Sequence, residues 1–77
     1  MYALYLDNNS IKNIVFNGSF PNLTYITLND NKLEALDNMT SQTFPILSTL
    51  YLGNNKLKKV GPNISLKMLS TLDLSNN

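Results

Sequence analysis

One motif recurs four times along this chain, and its spacing dictates most of what the chain can become. The stretches are residues 1–11 (MYALYLDNNSI), 23–33 (LTYITLNDNKL), 47–57 (LSTLYLGNNKL) and 69–77 (LSTLDLSNN). Each carries an apolar residue at its first, fourth and sixth positions and Asn at its ninth; an apolar residue holds the eleventh where the chain continues. The fourth-position residues, Leu4, Ile26, Leu50 and Leu72, lie 22, 24 and 22 residues apart. A period of this length marks a solenoid, in which each unit is too small to bury its apolar face alone and stacks on its neighbours to close a continuous core.

The local pattern says what each unit contributes. Residues 3–7 alternate apolar and polar with a period of two, as do residues 25–29, 49–53 and 71–75. That alternation belongs to a strand buried on one face and open on the other. Four such strands, one per repeat, pair side by side as a parallel sheet.

These residues resemble the leucine-rich repeat family, whose pattern is L-x-x-L-x-L-x-x-N-x-L, here in typical-class repeats that read as a fragment of a larger protein. The resemblance covers essentially the whole chain. It implies an α/β solenoid, a right-handed superhelix with a four-stranded parallel concave sheet and an irregular or 3₁₀ convex side. The units are residues 1–22, 23–46, 47–68 and a partial 69–77, forming one segment over 1–77 with no visible cap at either end. In this family the ninth-position Asn turns inward where the strand bends away. Here that assigns Asn9, Asn31, Asn55 and Asn77 to an asparagine ladder. A carboxamide offers two donors and an acceptor, so each would satisfy backbone groups of its own and the next repeat.

The return half of each repeat is less regular. Ile14, Leu36 and Val60 align, as do Phe20, Phe44 and Leu66, and these form a core spine on the convex side, supplemented by Phe16, Met39, Ile64 and Met68. Pro21, Pro45 and Pro62, with Gly18 and Gly61, predict turns and short helical or 3₁₀ pieces there instead of long helices.

In this family the exposed strand positions line a concave surface that binds partners. All four tyrosines, Tyr2, Tyr5, Tyr25 and Tyr51, fall on those positions. With Thr27, Thr49 and Asp73 they form the candidate ligand-binding set. Tyr among small polar residues is the composition of adaptable recognition surfaces.

Composition removes most alternatives. The 77 residues include no Cys, His or Trp, and all six basic residues are Lys. Disulfides, Cys/His metal centres and nucleophiles of the Cys-His or Ser-His-Asp kind are therefore excluded, and no cofactor is expected. A net charge of +1 is not the basic footprint of a nucleic-acid binder. The apolar runs are far shorter than the ~20 residues of a membrane span. Lys12, Lys32, Lys56, Lys58 and Lys59 gather on one flank and read as a solvated face. Asn8, Asn17, Asn22, Asn38 and Asn63 each begin an Asn-x-Ser/Thr glycosylation sequon.

The sequence thus predicts a non-enzymatic protein-interaction module with a protein or peptide ligand on its concave face. Its sequons favour an extracellular receptor or adhesion ectodomain. The alternatives are an intracellular scaffold or the repeat region of a signalling protein such as a kinase, and a structural unit associating end to end through uncapped repeats.

Overall fold

The computed structural model describes residues 1–58 and 64–77. Lys59 of the flank, Val60 of the convex spine, Gly61 and Pro62 of the predicted turns and Asn63 of the last sequon lie outside the described residues. Four strands, β1 (Ala3–Tyr5), β2 (Tyr25–Thr27), β4 (Thr49–Tyr51) and β6 (Thr71–Asp73), form one sheet in the order β1-β2-β4-β6. All three pairings are parallel, with Leu4, Ile26, Leu50 and Leu72 side by side across the sheet. The sequence repeat is therefore the sheet register. Each strand is shorter than its alternating segment, but the backbone ladder runs on: Leu6, Leu28 and Leu52 donate to Thr27, Tyr51 and Asp73, and Asn8, Asp30 and Asn54 to Asn29, Gly53 and Ser75, at 2.8–3.0 Å.

The apolar face of this sheet packs on the return segments. Ile26, Leu28, Leu33, Met39, Leu47, Leu50 and Leu52 are fully buried, with Leu23, Leu36 and Phe44 close to it. Each such side chain contributes about 1.5–3 kcal/mol of transfer free energy on burial. Phe16, Phe20 and Phe44 cluster on the return side. Phe16 meets both others edge-on, at centroid separations of 5.9 and 5.0 Å, and Phe20 stacks on Phe44 at 5.4 Å. Ile14, Ile64 and Leu66 pack against the buried core, themselves partly buried. Met68 does not join the spine. It is 59% exposed, on a turn at residues 67–68 that points it away from the core.

The convex side differs from the expected 3₁₀ pieces. Among the described residues there is no helical or 3₁₀ segment, and none long and apolar enough to cross a membrane. Instead β3 (Met39–Thr40) pairs in parallel with β5 (Ile64–Ser65). The local bonds after β3 amount to one turn, Thr43 and Phe44 N–H donating to the Thr40 carbonyl, while the pair itself is tied across repeats. Ser41 N–H donates to the Ser65 carbonyl at 3.0 Å, Lys67 N–H to Ser41 Oγ at 2.8 Å, and Asn38 Nδ2 to the Phe16 carbonyl at 3.0 Å.

Candidate functional site

Three rows of side chains hold the exposed face of the sheet in place. The ninth-position asparagines form the first. Asn31 Nδ2 donates to the carbonyls of Leu28 and Asn29 in its own turn and of Leu6 one repeat earlier, while its Oδ1 accepts from the Asn9 and Ile11 amides. Asn55 does the same with Leu52, Gly53 and Leu28, accepting from Leu33. Asn77 repeats it with Leu74, Ser75 and Leu52, accepting from Leu57. Every ladder bond that crosses a repeat reaches the preceding repeat, not the next one. Among the described residues, the Asn9 side chain bonds only the carbonyls of Leu6 and Asp7 in its own turn.

The second row, at position seven, runs the other way. Asp7 Oδ1 accepts the Asn29 amide at 2.8 Å and the Thr27 hydroxyl at 2.6 Å, and Asn29 Oδ1 accepts the Gly53 amide at 2.7 Å. Gly53 has no side chain to continue the row, and Asp73 Oδ1 takes the Ser75 amide instead at 2.9 Å. The third row is at position two. The hydroxyls of Thr24, Ser48 and Ser70 each donate, at 3.1 Å, to the position-two carbonyl of the strand before. Such pairing leaves few backbone groups unsatisfied where the strands enter and leave the sheet.

Position eight carries a further constraint that the sequence reading did not assign. Asn8, Asp30, Asn54 and Asn76 all adopt positive φ, between 56° and 59°. Asn and Asp tolerate this left-handed conformation better than other non-glycine residues, and their recurrence at one position was the available signal. Asn38, at φ 60°, is the same device on the return side.

On this frame the tyrosines converge. Tyr25 lies between Tyr5 and Tyr51, at centroid separations of 5.3 Å (tilted) and 5.6 Å (edge-on). The three rings make a continuous aromatic strip across β1, β2 and β4. Desolvation lifts the Tyr25 phenol above its ordinary pKa, and Tyr51, Tyr5 and Asp7 push it the same way. Asp73 extends the strip on β6, in register with Tyr51; the Ser75 amide, with the Ser75 side chain, holds its carboxyl below the usual range. Thr49 is half-buried between the Tyr25 and Thr71 positions. Tyr2 and Tyr5 are 72% and 70% exposed, though Tyr2 stands at the strand entrance, outside the ring contacts. Thr27 does not share this accessibility. It is 3% exposed with its hydroxyl given to Asp7, so it supports the face from beneath.

The sequon asparagines scatter. Asn8, Asn17, Asn22 and Asn38 are exposed. The Asn38 amide nitrogen, the atom a glycan would occupy, is already bonded to Phe16.

With this geometry in place, comparison with known proteins gives two positive findings. A family model described as leucine rich repeat matches residues 21–77. A Caenorhabditis elegans protein named "Probable U2 small nuclear ribonucleoprotein A'" is 46% identical over 54 residues, which is 68% of this chain and 21% of that protein. The chain thus spans about a fifth of the relative's length. No solved structure matches significantly.

Proposed function

Because this chain belongs to the leucine-rich repeat family, we propose that it is the protein-binding segment of an intracellular scaffold, with the Tyr5-Tyr25-Tyr51 strip as its contact surface. The observation that carries the site is the strip itself: three aromatic rings in a row, Tyr25 touching Tyr5 on one side and Tyr51 on the other, on the one sheet face that the core does not use. Aromatic side chains supply large contact area with few rotatable bonds, which is why they recur at recognition hot spots. Tyr2, Thr49 and Asp73 border the strip; no reaction is assigned to it, and the chain acts by presenting a surface.

The intracellular setting rests on the ribonucleoprotein relative. That protein's name places it in a nuclear particle, and this supports the scaffold alternative better than the receptor or adhesion ectodomain suggested by the sequons. Unglycosylated Asn8, Asn17, Asn22, Asn38 and Asn63 are part of this reading, as is a protein ligand within a larger assembly.

The test is quantitative affinity purification of the full-length protein from cells, beside its Tyr25→Ala/Tyr51→Ala variant. The reading expects protein partners retained by the parent and lost by the variant, with little change in melting midpoint. Partners retained equally by both would move the site elsewhere. Recovery of the parent as a secreted, glycosylated protein would overturn the intracellular setting.

A further inference from the structure

The contact strip has a charge pattern that specifies what it binds. The exposed strand positions, taken across all four repeats, include Asp7, Asp30 and Asp73 and no Lys. Lys12, Lys32, Lys56 and Lys58 all follow the ninth-position Asn, beyond the strand exits. Two of the carboxylates flank the aromatic strip. Asp7 follows β1 and reaches across to β2, its Oδ1 on the Thr27 hydroxyl two residues along the strand from Tyr25, and Asp73 on β6 is in register with Tyr51.

Both carboxylates accept hydrogen bonds through Oδ1. Asp7 uses Oδ1 for the Thr27 hydroxyl and the Asn29 amide. Asp73 uses Oδ1 for the Ser75 amide. Asp7 is thereby fixed through one oxygen, and no hydrogen bond from the described residues reaches its second; Asp73 is fixed by Ser75 alone, two residues on. Between them lie the rings of Tyr5, which is exposed, and of Tyr25 and Tyr51, which are half-buried; an aromatic ring carries negative quadrupole on its faces. Cations favour the faces of aromatic rings, and guanidinium groups also stack on them.

We propose that the occupant of this face is a basic protein segment, its Lys or Arg side chains lying over Tyr5, Tyr25 and Tyr51 and pairing with Asp7 and Asp73. This rests on the contact strip proposed above and adds the chemistry of the partner. Across three strand spacings and two residues along the strands, Asp7 and Asp73 stand roughly 16 Å apart, about the reach of four or five residues of extended chain. A segment with two cations at that separation engages both ends of the strip.

The test is fluorescence anisotropy on the full-length protein with two labelled peptides, one alternating arginine and glycine and the other glutamate and glycine. The basic peptide is expected to bind, the acidic one not. Asp7→Asn with Asp73→Asn keeps the Oδ1 acceptors and removes the charges. It should weaken the basic peptide by about tenfold. Raising the salt concentration should weaken binding to the parent protein, a readout independent of whether the double variant folds. Binding that is equal for the two peptides, insensitive to salt or unchanged in the variant overturns the proposal. The same Asp variant run in the affinity purification separates the two readings. Partners lost on Tyr25→Ala/Tyr51→Ala but kept on Asp7→Asn/Asp73→Asn leave the strip as the site and remove the basic ligand. Partners kept in both remove the strip as well.

Discussion

The carboxamide of Asn31 donates a 2.9 Å hydrogen bond to the carbonyl of Leu6, 25 residues earlier in the chain, while its oxygen accepts two amides from that same earlier repeat. One side chain thus welds two coils of the solenoid at the point where the strand turns off the sheet. Asn55 and Asn77 repeat the weld, each time backwards.

The ladder predicts an order of severity. Asn55 is 8% exposed and closes four bonds, whereas among the described residues the Asn9 side chain serves its own turn alone. Asn55→Leu strands buried carbonyls and the Leu33 amide, and should cost about 1–3 kcal/mol. For a domain of this size each kcal/mol lowers the melting midpoint by roughly 4–8 °C. Asn9→Leu should cost visibly less. Equal midpoints for the two variants would show that the cross-repeat bonds add little.

The left-handed row at position eight predicts a steric effect of substitution. Asn54→Gly, at φ 56°, should be close to neutral, because glycine reaches that conformation freely. Asn54→Val should cost about 1–2 kcal/mol, since a branched Cβ clashes there. Denaturant midpoints separate the cases, and similar values for both variants would mean that the backbone relaxes out of the left-handed region.

Gly53 predicts a coupling. A Cβ at this position would stand 3.1 Å from Ser75 Oγ and 3.2 Å from Asn29 Oδ1, and the Asn29 oxygen is tied to the Gly53 amide. Gly53→Ala should therefore destabilise by about 1 kcal/mol. Ser75→Ala removes one of the two obstructing atoms and should recover part of that loss in a double-mutant cycle. Strict additivity of the two substitutions would place the crowding elsewhere.

Titration supplies two signs. The folded pKa of Asp73 is depressed, so its contribution is present above the carboxyl's unfolded pKa and is lost as pH falls through the folded one. Ser75→Ala should raise the Asp73 midpoint followed by NMR. The Tyr25 phenol is raised, so its contribution is present below the unfolded phenol pKa and is lost as pH rises through the folded value. Ultraviolet titration should show a late tyrosine, and Tyr25→Phe should delete that step.

Much of this was written in the chain. Leu4, Ile26, Leu50 and Leu72 recur at the spacing that becomes the sheet register, because parallel stacking converts equal sequence positions into neighbours in space. The same recurrence placed Tyr5, Tyr25 and Tyr51 on one face. What periodicity does not carry is direction. That Asn31 bonds backwards and Asp7 forwards depends on how each side chain leaves the turn, and both directions have the same period. Thr27 shows a second gap: alternation put it on the open face, but the Asp7 carboxylate draws its hydroxyl in and buries it. The return segments hid the β3-β5 pair because two-residue strands leave too short a pattern to tell from a turn.

The central claim is that the tyrosine strip is where a partner protein sits, and photo-crosslinking tests it directly. A benzophenone-bearing phenylalanine analogue can replace Tyr51 on the strip or Val15, which is 61% exposed on the return side, in the full-length protein in cells. The account predicts covalent adducts to a protein from position 51 and none from position 15. Adducts from position 15 with none from position 51 would contradict it.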